Sequence, residues 1–345
     1  MRLGTGIGYA TGIKEAAARA AELERAGVDI VWVAEAYGVD GVSLMGYLAA
    51  ITDRVQIASG ILPIYTRTPS LLAMTAAGVD LLSGGRCILG LGASGPQVIE
   101  GFHGVPYDAP IGRTREIVEI CRKVWRREPV EHEGAHYRLP LPPEQGTGLG
   151  KPLKMITHPV RDRIPIYVAA LGPKNVEMAA EVADGWIPTL FWPERAAAVW
   201  GGALAKGAAN RAGDLAPLEV VAGGPLAIGD GVEHLRDKAR PAIALYVGGM
   251  GARSRNFYNQ LFARYGYERE AAQIQELYLA GRKDEAAAAV PQEFLDAMSL
   301  VGPEPWVRER VEAYKDAGVT VLNVSPIGSG PDALRAIEKV REWTA

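Results

Sequence analysis

Arg25-Ala26-Gly27-Val28-Asp29-Ile30-Val31 and Asp316-Ala317-Gly318-Val319-Thr320-Val321-Leu322 are two copies of one local pattern, near opposite ends of the chain. A helical stretch meets a small residue, then a glycine, then a run of buried-type side chains. Val182-Ala183-Asp184-Gly185-Trp186-Ile187 is a looser third copy. Glycine adopts the left-handed conformation at which helices commonly end, and a Val/Ile run without polar alternation suits a strand covered on both faces. The pattern is the helix-to-strand join of an α/β protein.

Eight apolar runs succeed one another outward from these joins: 3–8, 29–34, 55–59, 87–91, 166–170, 185–190, 219–228 and 319–324. Helical patterns lie between them at 13–26, 43–52, 69–82, 114–127, 173–183, 194–211, 232–247 and 303–317. Strands alternating with helices in this number predict a (β/α)8 TIM barrel. A doubly wound open sheet is the alternative, because strand count alone does not require closure. Two segments stand outside the pattern and read as insertions in a single domain spanning 1–345: about 129–164, with a hairpin-like stretch from His132 to Arg138, and about 250–290, which is polar, aromatic and Ala-rich. Barrel insertions map to loops, and those on the C-terminal rim shape the active site.

Composition narrows the function. The 345 residues hold 37 Lys+Arg against 40 Asp+Glu, a net charge of −3, so no basic surplus favours a nucleic-acid partner. Cys87 and Cys121 are too few and too isolated for a disulfide framework and read as reduced packing residues. The opening MRLGTGIGYATG lacks an apolar signal core, and no stretch approaches the ~18 apolar residues of a membrane span. A cytoplasmic protein without a membrane partner is expected.

Candidate chemistry falls at strand ends. Glu35 follows the second run, as an acid/base or cofactor contact, or as a carboxylate that caps the next turn. Gly60 breaks the third run and permits a bulge beside a ligand. After the fourth run, Gly90, Gly92 and Gly95 imitate a dinucleotide fingerprint, but they lead into Pro96 rather than opening a helix after a first strand, so a Rossmann reading is rejected. Ala93, Ser94 and their neighbours remain a loop of backbone amides. Leu171-Gly172-Pro173-Lys174-Asn175 opens a helix whose free amides, with the Lys174 charge, suit a phosphate. His132 and His136 flank a turn and His103, His158 and His234 are scattered, so no metal site is expected. No G-x-S-x-G or P-loop string occurs.

In their order and spacing these strings resemble the luciferase-like flavin and deazaflavin oxidoreductases, and within them the branch that uses coenzyme F420. The likeness runs through Trp32-Val33-Ala34-Glu35-Ala36-Tyr37-Gly38, Ser59-Gly60-Ile61, Leu82-Ser83-Gly84-Gly85-Arg86, Leu89 to Val98, Glu100-Gly101-Phe102-His103-Gly104 and Leu171 to Asn175, and covers nearly the whole chain. Gly60-Ile61 and the Gly-Pro-Lys-Asn string resemble the methylenetetrahydromethanopterin reductase side.

The resemblance implies a barrel that binds F420, or alternatively FMN, at its C-terminal mouth and a homodimer that transfers hydride to or from a small-molecule substrate. A non-catalytic deazaflavin- or flavin-binding protein is the further alternative. By the same resemblance Gly60 and Ile61 form a bulge behind the ring, often with a non-prolyl cis peptide. Gly92, Ala93, Ser94 and Gly95 then contact the cofactor tail, and Leu171, Gly172, Pro173, Lys174 and Asn175 hold its phosphate. The sugar- and alcohol-oxidising relatives carry His after the strand-two acid, whereas this chain has Ala36. Glu35, Tyr37 and His103 are left as the catalytic candidates.

Overall fold

The computed structural model describes residues 1–8, 12–328 and 330–344. Eight parallel strands form a closed barrel: β1 (Arg2–Ile7), β2 (Ile30–Ala34), β3 (Gln56–Pro63), β4 (Cys87–Gly92), β5 (Ile166–Ala169), β6 (Gly185–Ile187), β7 (Glu219–Ala222) and β8 (Val321–Asn323). Pairing of β1 with both β2 and β8 closes the ring and removes the open-sheet alternative. Ile30, Trp32, Ala58, Ile88, Tyr167, Val221 and Val321 fill the interior, while a larger apolar core lies between strands and helices. Arg2 plugs the base of the barrel. Its guanidinium donates to Gln56 at 2.5 Å, Tyr167 at 2.9 Å and Glu219 at 2.5 Å. Among the described residues no helix is long and apolar enough to cross a membrane.

One irregularity dominates the barrel wall. Ala58 pairs with Ile88 but Leu62 with Leu91, so β3 spends one more residue than β4 between the two pairs. The same slip separates Ser59 from Ile61 opposite β2. This is a β-bulge at Ser59-Gly60-Ile61. The ladder bonds lost there are replaced by the fully buried Ser59 hydroxyl, which accepts from Gly90 N–H at 2.7 Å and donates to Gly90 C=O at 2.9 Å. Gly90 has no choice of residue type, since a Cβ there would lie 1.7 Å from the Ser59 carbonyl oxygen. The peptides of the bulge are trans; among the described residues the one cis bond is Leu139–Pro140, so the non-prolyl cis peptide implied by the resemblance is absent, and the register slip absorbs the extra residue instead.

Other boundaries move for identifiable reasons. The run 219–228 is two strands, β7 and Pro225–Ile228, because Gly223 and Gly224 pass so close to the Asn323 and Met298 carbonyls that a Cβ would sit at 2.1 and 1.9 Å. The second piece joins Leu300–Gly302 and Ser325–Pro326 in a small parallel sheet. The expected helix at 13–26 is broken at Arg19, and that at 232–247 becomes a 3₁₀ turn, a short α-helix (Arg240–Ala244, with Pro241 in its first turn) and a π-turn (Leu245–Gly249) packed on Tyr278. The list of expected helices stops short of Pro331–Thr344, which completes the eighth strand–helix unit. The hairpin forms, with His132–Glu133 antiparallel to Arg138–Leu139. The second insertion is built from helices Phe257–Arg264, Glu268–Leu279 and Lys283–Ala288. Cys87 and Cys121 are free and buried, and burial pushes both thiols well above their usual range.

The bulge yields a paired prediction. Gly90→Ala forces a carbonyl clash and is expected to cost more than about 3 kcal/mol or to prevent folding. Gly60→Ala meets nothing closer than 3.7 Å and is expected to leave the thermal midpoint within a few degrees of wild type. Thermal denaturation followed by circular dichroism checks both.

Candidate active site

The C-terminal ends of β2 to β5 carry the residues singled out in the sequence, and the fold brings most of them onto one rim. Glu35 follows β2 and its backbone N–H donates to the Ile61 carbonyl at 3.0 Å, which ties the strand-two loop to the bulge. Its carboxylate is fully engaged. Arg67 forks onto it at 2.6 and 2.9 Å, and the N–H of Gly41, first residue of helix Gly41–Ile51, donates at 2.7 Å. Both side chains are largely buried, at 8% exposure for Glu35 and 13% for Arg67. Arg67 also donates to Asp40 at 2.7 Å, and the Glu35 bonds strengthen its hold on the proton. Burial would raise the Asp40 pKa, but hydrogen bonds from Ser43 and the Arg67 charge outweigh it and hold the carboxyl below its usual value. Of the two readings open for Glu35, the turn-capping carboxylate matches this geometry. Arg67, its partner, was not picked out in the sequence; a lone arginine after a strand carries no motif.

Tyr37 is 60% exposed and its ring lies 6.0 Å from Phe102, whose ring meets His103 edge-on at 5.1 Å. The loops after β2 and β4 therefore touch. The Nε2 of His103 is enclosed and, among the described residues, without a hydrogen-bond partner. Beyond β4, Ser94 stands at φ 56°, a left-handed conformation that costs a non-glycine residue about 1 kcal/mol. Among the described residues, the backbone N–H groups of Ala93, Ser94 and Gly95 donate to no acceptor. Gly92 serves packing as well, because a Cβ would press on Ile61 at 2.8 Å.

Across β5 the same condition recurs. Gly172 caps helix Pro173–Val182, its carbonyl accepting from Val176, and the N–H groups of Leu171, Gly172, Lys174 and Asn175 find no acceptor among the described residues. Lys174 is exposed and makes no ion pair among them. The second insertion reaches this loop. Arg264 donates to the Leu171 carbonyl at 3.0 Å, as does the Trp200 indole at 3.0 Å, and Tyr265 bonds Leu190 at 2.9 Å. Arg264 sits at the end of a helix in a segment without motif, so sequence gave no reason to choose it. The floor was also missed. Gly6 pairs with the inward-facing Trp32, and both Gly6 and Gly8 are exposed with nothing within 4 Å of where a Cβ would project. The alternation Gly4-Thr5-Gly6-Ile7-Gly8 is the available signal: a strand with one glycine face leaves the barrel mouth open there. No metal-binding group of side chains occurs among the described residues.

A parallel barrel with a bulged third strand, an open mouth and two runs of unspent amides defines a class of small-molecule enzyme whose site lies at the C-terminal rim. The chain belongs to the luciferase-like monooxygenase family, whose model matches residues 1–321. A Mycobacterium tuberculosis protein that bears the name coenzyme F420-dependent oxidoreductase is 42% identical over 330 residues, covering 94% of this chain and 95% of that protein. The 5,10-methylenetetrahydromethanopterin reductase of Archaeoglobus fulgidus is 28% identical over 328 residues, covering 92% and 90%. Among solved structures, the coenzyme F420 dependent tetrahydromethanopterin reductase of Methanopyrus kandleri superposes with a TM-score of 0.80 at 23% identity, covering 99% of this chain and 97% of that one.

The Arg67 cluster carries a stability prediction. Arg67→Met strands two carboxylates, one of them buried, and is expected to lose about 3 kcal/mol at neutral pH in urea denaturation. Because Asp40 titrates below its ordinary 3.8 in the folded protein, its contribution is complete above that value and fades as the pH falls through the depressed one. The gap between wild type and variant is therefore expected to narrow on acidification.

Proposed function

We propose that this chain is a coenzyme F420-dependent oxidoreductase that transfers hydride between the deazaflavin and a small organic substrate. The observation that carries the reading is the double row of free amides, at 93–95 and at 171, 172, 174 and 175, on neighbouring strand ends and flanked by the β3 bulge. Donors without acceptors suit an anionic, oxygen-rich tail, and amides at a helix start suit its phosphate. The 42% identity to the M. tuberculosis protein supports the choice of cofactor.

Bound there, the deazaflavin supplies a carbon that accepts or releases hydride. Everything else falls to the protein. Gly60 and Ile61 back the ring; Gly92, Ala93, Ser94 and Gly95 hold the tail; Leu171, Gly172, Pro173, Lys174 and Asn175 hold the phosphate. Glu35 positions the rim by fixing Arg67 and the Gly41 turn. Tyr37 and the His103 imidazole are the groups left to hold a proton near the substrate. Hydride transfer then depends on orientation and exclusion of water, which a closed barrel with a narrow floor provides.

Assembly as a homodimer is part of the reading. Leu71, Met74, Leu81 and Leu82 lie exposed on helix Pro69–Ser83, beside the exposed Tyr47 of helix Gly41–Ile51. Light scattering of the purified protein is expected to give twice the 36.8 kDa chain mass.

Fluorescence titration tests the cofactor. Wild type is expected to bind F420 more tightly than FMN, and the reverse order would overturn the proposal. Lys174→Glu puts like charge beside the phosphate and is expected to weaken F420 at least about fivefold at low ionic strength, with less effect in high salt. Unchanged affinity moves the phosphate elsewhere.

A further inference from the structure

Three successive carbonyls just past β5 are held by the protein itself. The Trp186 indole donates to Ala170 at 2.8 Å. The Trp200 indole and the Arg264 Nη2 both donate to Leu171 at 3.0 Å, and the Val176 N–H donates to Gly172 at 3.0 Å. A trans peptide points its N–H away from its own carbonyl. Pinning the Ala170 and Leu171 oxygens therefore turns the N–H groups of Leu171 and Gly172 the other way. These are two of the amides that find no acceptor among the described residues.

The anchors differ in kind. Trp186 and Trp200 are buried, with rings 5.2 Å apart, and Val176 belongs to the helix that Gly172 caps. Arg264 comes from the second insertion, in the last turn of helix Phe257–Arg264. Among the described residues its guanidinium pairs with no carboxylate; its partners are the Leu171 carbonyl, the more distant Val199 carbonyl and the face of Trp200. A full charge is thus directed at one peptide of the amide row.

That peptide is the one able to turn over. Gly172 stands at φ −71° with nothing within 4 Å of where a Cβ would project. Rotating the Leu171–Gly172 peptide by half a turn carries Gly172 to a positive φ, which glycine adopts at little cost. The rotation puts the Leu171 oxygen where the Gly172 N–H had been, so an anion meets an acceptor in place of a donor. Arg264 opposes it with a charge-assisted hydrogen bond, the stronger kind.

We infer that Arg264 is a positioning residue for the phosphate site: from the second insertion it locks the Leu171–Gly172 peptide with its N–H toward the bound anion. The inference rests on the proposed function for the identity of that anion, the phosphate of the cofactor tail. Drawing helix Phe257–Arg264 away releases the peptide, so the insertion tunes the site through this bond.

Fluorescence titration of F420 and the Gly172 amide resonance in a nitrogen-15 spectrum read the lock. Arg264→Met is expected to weaken F420 by about three- to tenfold, the share of one hydrogen bond, and to shift the Gly172 amide in the ligand-free protein. Arg264→Lys keeps a charged donor and is expected to restore both. Alanine resists a positive φ, so a second background discriminates. With Gly172→Ala in place, Arg264→Met is expected to cost less than about twofold further. Equal losses in the two backgrounds mean a charge effect alone and overturn the lock, as do wild-type affinity in Arg264→Met or an unmoved Gly172 amide; the proposed function then stands. If wild type binds neither F420 nor FMN, the proposed function falls. The lock then survives only if Arg264→Met still shifts the Gly172 amide, Arg264→Lys reverses the shift, and the response of that amide to inorganic phosphate weakens in Arg264→Met.

Discussion

The site depends on a single buried hydroxyl. β3 carries one residue more than its neighbours allow, and a strand with an unpaired residue would ordinarily slide or fray. Ser59 prevents this by bonding both backbone groups of Gly90, so the surplus is confined to Gly60 and Ile61. Gly90 must be glycine for the approach, Gly92 must be glycine to clear Ile61, and the Ile61 carbonyl in turn holds the N–H of Glu35. The loops after β2, β3 and β4 are thereby set by one hydrogen-bonded contact rather than by three independent turns.

This changes the meaning of the glycines. Gly90 and Gly92 sit in a string that imitates a dinucleotide fingerprint, yet their first duty is to let two strands approach. Gly60 is the reverse case. It has room for a side chain and an ordinary backbone conformation, so packing alone does not demand glycine there. The space over Gly6 and Gly8 is left empty by the protein, and empty room at the mouth of a barrel is what a flat ligand uses.

Periodicity made the barrel legible because most of its strands are buried on both faces and announce themselves as apolar runs. It failed where backbone proximity rules. Gly223-Gly224 looks like the interior of one long strand, and only the carbonyls of Asn323 and Met298 show why the chain must leave the barrel there. At the site, the amide-bearing loops were readable from Gly, Pro and their positions after strands. Arg67 and Arg264 were not, since each acts through a partner distant in sequence: 32 residues away at Glu35 and 93 at Leu171.

The near-neutral charge of the chain is consistent with a site for an anion only because of how its cations are spent. Arg67 serves Glu35 and Asp40, Arg113 serves Asp108, and Arg115 serves Glu181, so these three arginines are already neutralised by the protein itself. What remains toward a ligand is Lys174, Arg264 beside Leu171 and the partial positive charge of backbone N–H groups. Such groups are fixed in direction, need no counter-ion and lose no side-chain freedom on binding. Recognition built on them selects for the placement of oxygen atoms in the ligand more than for its total charge. That leaves discrimination between related cofactors to the shape of the bulge, where Gly60 and Ile61 stand.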